Sequence, residues 1–498
     1  MSRYAKIVFG VMVVLIFQAL ASVGPSMSPQ EISTKEVAAT QNAKRSRMDE
    51  FLAQEQKASQ LAREGWSLTK EQAMSLEEAL ATAPGDLEVR AKLMGYYFAP
   101  VSQPLGFEAR IQARRKHILW LINNRPDSAL LMTSEATLDP RGHSLADAEG
   151  YEQAKKAWLK QTASKDANAA LLGNAGRFFY LPDKALAAEF FARARRLEPE
   201  NSFWLFMQGS VMAFAVAGIT QMNQNGFPGP ADPAEAGSDF AKTVRRELET
   251  LTDTALLAAV ARELTARGFM AQSMAQRNPG EKPPVDALGL AESLLKRVQD
   301  LDPGKSEPSF ELAGIYELRG MSATSKVEKE RFARARYEQL VKATAGLSAN
   351  DPASSPQLLT VARASLDAGD LERAQSIANS LVALVPKMKV DPQLSAEVDT
   401  IWHHSHLILG RVALRNGDLE TAKANLLEAG HVGGGGSLTS FGPNMALAKE
   451  LLEKGEKDTV LQYLEMCRKF WHFSNKLDPW IAAIRKGEMP DFGANLNY

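Results

Sequence analysis

The chain has 498 residues, of which 45% are hydrophobic and 23% charged, the proportions of a folded globular protein rather than a disordered one. Its 58 basic and 59 acidic side chains leave a formal charge of −1, so no global field draws it to nucleic acid or to an anionic membrane. Cys467 is the only cysteine, which excludes an internal disulfide.

The first residues stand apart. Arg3 and Lys6 precede the apolar run Ile7 to Phe17, and Ala19-Leu20-Ala21 supplies the small residues of a signal-peptidase site. Residues 1–21 read as a signal peptide. The rival is an uncleaved anchor, because apolar character extends to Val23, close to the roughly 17-residue lower limit of a spanning helix. In both readings the basic residues stay on the cytoplasmic side, and the rest of the chain is expected to be exported, periplasmic or extracellular. No cysteine follows the apolar segment, which argues against a lipid-modified amino terminus.

Residues 22–63 read as a tether, punctuated by Gly24-Pro25 and Pro29, that leads into an exposed helix on which Lys44, Arg45 and Arg47 form a solvated face. Helical hairpins are expected over residues 64–201. Thr69 with Gln72 forms a capping-box pattern before a helix that stops at Pro84-Gly85. Helices follow over Leu87 to Phe98 and Phe107 to Asn123, with Pro100 and Pro104 confined to the link. The stretch Leu138 to Ser144 reads as loop, and Ser144 with Asp147 opens another helix. Asn168 to Pro199 reads as a hairpin with Leu171, Ala175 and Phe178 on one helix face and Ala187, Phe191 and Ala194 on the other.

Residues 202–285 are less regular. Phe203 to Ile219 is apolar enough to raise a membrane question, but Gln208, Gly209 and Ser210 interrupt it, and it reads as a buried helix. Thr220 to Ser238 reads as a long loop. Phe240 to Gln276 reads as helical, then a break over Asn278 to Pro284.

Residues 286–470 repeat most clearly, starting with a helix over Ala287 to Asp302. Leu312, Ala313 and Tyr316 pair with Ala333, Tyr337 and Leu340 around an insertion near Met321 to Lys329. Leu358, Ala362 and Ser365 pair with Ala374, Ala378 and Leu381 around Gly369-Asp370. His403 to Val432 is the sharpest copy. Leu409, Gly410 and Ala413 face Ala422, Leu426 and Ala429 across Asn416-Gly417-Asp418, where glycine takes a positive φ and Asp418 caps the second helix. The last pair sets Leu447, Ala448 and Leu451 against Val460, Leu464 and Cys467 around Gly455-Glu456. Residues 471–498 read as a capping helix and tail.

This spacing resembles the tetratricopeptide repeat, a motif of about 34 residues that stacks into a superhelix. The resemblance implies an all-α, right-handed α/α superhelical solenoid of helical hairpins, with Pro199 in the place of the family's closing proline. Gly410 to Tyr498 also resembles the end of a group of exported bacterial repeat proteins without assigned activity. Two departures matter. His406 and Asn444 stand where the family has an aromatic, and residues 126–167 and 221–285 do not align.

No chemical motif rises above this pattern. His403, His404 and His406 lack the further ligands and spacing of a zinc site and read as interface and surface histidines. Gly433 to Gly436 with Ser437 lacks the lysine of a phosphate loop. No metal or cofactor is implied. Phe470, Trp471, Phe473 and Trp480 read as an end-cap, and Cys467 as a buried thiol. The expected function is a binding scaffold for a protein or peptide, not for nucleic acid, with membrane attachment only if the first segment is retained. The alternatives are an all-helical carbohydrate-active hydrolase, which needs two facing carboxylates, or a membrane-tethered assembly factor. Applying one helical phase to the last three repeats places Arg363, Arg411 and Lys449 toward the inner groove, with Arg415 one turn beyond Arg411 and Leu359, Leu407 and Leu414 beside them. Such a surface suits an acidic peptide or a free carboxylate.

Overall fold

Side-chain caps start most helices of the protein. In the computed structural model, which describes Glu50 and residues 53–99, 105–140, 146–221, 229–277, 285–348, 350–390, 395, 397–471 and 475–496, Thr69 and Gln72 exchange the two bonds of a capping box, at 3.2 and 2.8 Å, to open α1 (Lys70–Thr82). Asp86 caps α2 (Leu87–Phe98), and α3 (Phe107–Asn124) follows Gly106. Asp147, Asn168, Asp183 and Asn201 then cap α4 (Ala148–Thr162), α5 (Ala169–Phe179), α6 (Lys184–Leu197) and α7 (Ser202–Ala217). The signal or anchor segment, the tether before residue 50, Pro100, Pro104 and Phe473 lie outside the described residues.

Contacts divide the chain into two units that meet in sequence at Asp302 and Pro303, inside the block read as one run of repeats over residues 286–470. In the first unit α4 packs against both α3 and α5, so helix-on-helix packing continues where the sequence did not align. Trp158, Phe179, Phe191 and Trp204 fill its core. The apolar helix α7 is buried among protein neighbours, and no helix of the described residues is long and apolar enough to cross a membrane.

The stretch read as helical from Phe240 to Gln276 consists of two helices, α8 (Asp239–Thr250) and α9 (Thr254–Arg277). Leu251 is extended, and the Asp253 side chain accepts from the Leu256 N–H at 3.0 Å, restarting the helix. Both helices pack on α7, and α9 pairs with α10 (Ala287–Leu301). The described part of the 220–238 loop is not wholly irregular: Pro233–Ala236 is a short helix capped by Asp232.

The second unit is a series of hairpins. These are α11 (Glu307–Ser322) with α12 (Lys326–Ala343), α13 (Ser355–Ala368) with α14 (Leu371–Lys389), and α15 (Val398–Arg415) with α16 (Leu419–Ala429). Then come α17 (Ala446–Glu453), α18 (Lys457–Cys467) and α19 (Leu477–Lys486). The insertion expected near Met321 to Lys329 is helical except for a link of Ala323 to Ser325, because Ser325 caps α12 early. Gly369, Gly417 and Gly455 turn with φ of 85°, 83° and 89°, the left-handed conformation that spares a side chain. At Gly410 an added Cβ would meet Leu447 Cδ2 at 2.3 Å and the Ala422 carbonyl oxygen at 3.2 Å, so the missing side chain sets how closely α15 approaches its neighbours. Phe470, Trp471 and Trp480 are buried with Cys467 at the end of the unit. The fold is all-α, an α/α solenoid of tetratricopeptide-like hairpins, with no strand among the described residues.

Candidate functional site

Four helices of the second unit line a half-open cavity of about 550 Å³, a size suited to a small ligand or an inserted side chain. Helical spacing decides what each helix presents. On α15, His404, Leu407, Ile408 and Arg411 fall on one stripe, one turn apart. Arg363, Leu366 and Asp367 do the same on α13; Lys329, Phe332, Ala333 and Arg336 on α12; Tyr316, Glu317, Gly320 and Met321 on α11. Asn444, Ala446 and Leu496 complete the lining. The last of these is held by Asn495, whose side-chain amide donates to the carbonyls of Phe441 and Pro443, each at 3.0 Å.

Charge in the cavity is unevenly matched. Lys329, Arg336, Arg363 and Arg411 face Glu317 and Asp367. Arg336 bridges Glu317 at 3.2 Å and Asp367 at 3.7 Å. Arg411 donates through Nε and Nη2 to Glu450, at 2.9 and 2.8 Å, and reaches Asp367 at 4.0 Å. Arg363 is half-buried between them and, among the described residues, has no hydrogen bond or ion pair. Burial and the nearby Arg336 lower its proton affinity, while Glu317 and Asp367 act in the opposite sense.

The expected groove residues are thus only partly brought together. Arg363, Arg411 and Leu407 line the cavity. Arg415 turns away and donates to the Leu366 carbonyl oxygen at 2.5 Å, tying α15 to α13. Leu359 is buried in the core beside α14, and Leu414 packs against the core of the last hairpins. Lys449 is half-buried and paired with Glu453, outside the cavity. The shared phase fails there because Gly433 to Gly435 and the short helix Gly436–Phe441 intervene before α17. Arg336, Glu317, Asp367 and His404 were missed. Asp367 lies one turn from Arg363 and could have been found by the same phase, whereas Arg336 comes from a second helix that the phase argument ignored.

The three histidines are all buried, not at the surface. His403 bonds the Ala429 carbonyl oxygen through Nδ1 at 2.8 Å, and its Nε2 accepts from the Asn444 N–H at 3.3 Å. Burial drives its pKa down to about 4. His406 bonds Asn425 at 2.8 Å and packs on Trp402. His404 alone lines the cavity. No tryptophan does, and the two facing acids share Arg336, so nothing in the lining favours a sugar-cleaving site.

No protein-family model matches the chain, and no curated protein matches it. Solved structures with a related helical arrangement include a human IFIT1 dimer with m7Gppp-AAAA, at 14% identity over 84% of this chain and 86% of that one, with a TM-score of 0.31. The human IFIT1 dimer with PPP-AAAA matches at 14% identity over 87% and 92%, with a TM-score of 0.31. A monomeric IFIT1 mutant with Gppp-AAAA matches at 15% over 84% and 85%, with a TM-score of 0.29. Likenesses this loose say nothing of what this chain binds.

Proposed function

We propose that the chain is an exported binding scaffold whose second unit captures a protein segment by seating an acidic side chain or free carboxylate on Arg363. The observation that carries this reading is the Arg363 guanidinium, set in a cavity with no hydrogen bond or ion pair among the described residues while the arginines on both sides are engaged. A bound carboxylate would supply the planar acceptor that guanidinium geometry fits. Tyr316, Phe332, Leu407 and Ile408 give the neighbouring segment an apolar wall. Arg411 shapes the site from within its own ion pairs, and Arg415, Leu359 and Leu414 hold the helices behind it.

Arg363→Glu should abolish capture of an immobilised acidic peptide and leave the melt nearly unchanged, since among the described residues no ion pair is lost and Arg336 and Arg411 offset the repulsion of Glu317 and Asp367. Arg411→Glu should instead lower stability by about 1–3 kcal/mol, because it sets a third carboxylate against Glu450 and Asp367. Retained capture by Arg363→Glu would reject the site. Export rests on Arg3, Lys6 and Ala19-Leu20-Ala21. Amino-terminal sequencing should find a start near Ser22, and an intact Met1 or Ser2 on cytoplasmic protein would contradict it.

A further inference from the structure

We propose that Arg363 and His404 bind one anionic group jointly and that the imidazole takes up a proton as the anion arrives, so that the cavity grips its ligand more tightly as the pH falls. The inference rests on the reading that this cavity takes an anion, and adds to it the second binding residue and the coupling to protons.

Three nearly consecutive histidines on α15 meet different fates. His403 and His406 each use Nδ1 on a partner in α16, the Ala429 carbonyl oxygen and the Asn425 side chain. His404 is 6% exposed, lines the cavity and, among the described residues, makes no hydrogen bond or ion pair. A polar ring so deeply buried is ordinarily satisfied, and what it faces here is the cavity, together with Arg363.

The charges around it explain why the ring stays neutral until an anion binds. From α13 it shares the cavity with Arg363 and Asp367, from α12 with Lys329 and Arg336, from α11 with Glu317; its own helix adds Arg411 in the cavity and His403, whose ring centroid is 5.2 Å away. Cations outnumber carboxylates, and both carboxylates already serve Arg336. Burial, and then the charges of His403 and Arg363, hold the imidazole well below its ordinary range. An anion seated between the guanidinium and the ring reverses that balance, since an opposite charge within about 4–6 Å favours the protonated form.

The sign of the coupling follows. The ring binds its proton more tightly with the anion present, so by reciprocity the anion binds more tightly when the proton is present. Affinity is therefore highest at acidic pH, falls as the pH rises through the ring's value in the complex, and levels off above it, where Arg363 alone holds the ligand.

The test uses the full chain and phenylpropanesulfonate, which stays ionised throughout and has an aromatic body for the apolar wall. Calorimetry from about pH 5.5 to about pH 7.5, in two buffers of different ionisation enthalpy, reads affinity and proton uptake together. The expected result is an affinity that rises by up to about tenfold per pH unit on acidification, with uptake approaching one proton per ligand. His404→Gln, which keeps an N–H donor, should bind without the pH dependence. Binding by the wild-type protein with no proton uptake anywhere in the range overturns the coupling while leaving the anion site intact, and it needs no variant to fold. Absence of binding at every pH, or undiminished binding by Arg363→Gln, overturns both this inference and the site beneath it.

Discussion

At Gly417 the backbone turns with φ of 83°, and an added Cβ would have nothing within 4 Å. Any penalty for a side chain there is one of backbone conformation, not of crowding. Gly417→Val should lower stability by about 1–2 kcal/mol or more. An unchanged melt would show that the turn accepts a β-branched residue and that the hairpin register is wrong. The position was legible because a glycine before an acid between two helical patterns has one economical reading. The histidines were not legible in the same way. Periodicity placed His403 and His406 on one face, and both do meet α16, but it could not say that this face is interior. That depends on the Ala429 carbonyl and the Asn444 N–H arriving from elsewhere in the chain to satisfy His403.

Among elements, α15 joins core to cavity, because one face packs on α16 while another lines the cavity. Its buried histidines also give the second unit a pH dependence of definite sign. His403 is held down to about 4 by burial, below the unfolded value of about 6.5, so the unfolded chain binds more protons between those values and stability rises with pH there. Denaturant unfolding followed by the tryptophan emission of the second unit should show stability falling from about pH 6.5 to about pH 5, above the range where most carboxylates titrate. His403→Phe should lower stability at neutral pH and flatten that slope; a flat wild-type profile would mean the ring is not buried neutral. Helix starts at Thr69 and Asp418 were readable because each cap lies beside a helical pattern. The break at Leu251 was not, since Asp253 restarts a helix inside a stretch with helical character on both sides. The insertion between α11 and α12 was overestimated for the converse reason: the mostly polar stretch Ser325 to Lys329 broke the apolar pattern but forms the cap and exposed first turn of α12.

For the whole molecule, the repeat pattern specified the fold class, and the phase of its first helices found Arg363, Arg411 and Leu407 at the cavity. It could not find Arg336 or the Leu496 wall, which come from a second helix and from the chain's last described residues. The phase of first helices does not carry to a second helix, and the last described residues lack a period. The same lack of period hid the division at Asp302 and Pro303, since a hairpin on one side of such a boundary looks in sequence like a hairpin on the other.

The central claim, that Arg363 selects a carboxylate-bearing segment, is tested most directly by a matched pair of blocked dipeptides, Phe-Glu and Phe-Gln, that differ in charge and hardly in shape. Dissociation constants would be measured for the wild-type protein and for Arg363→Gln at about pH 6. The wild type should prefer the glutamate peptide by about tenfold or more, and the variant should bind both peptides equally weakly. Equal affinities in the wild type, or a preference that survives in Arg363→Gln, would contradict the account.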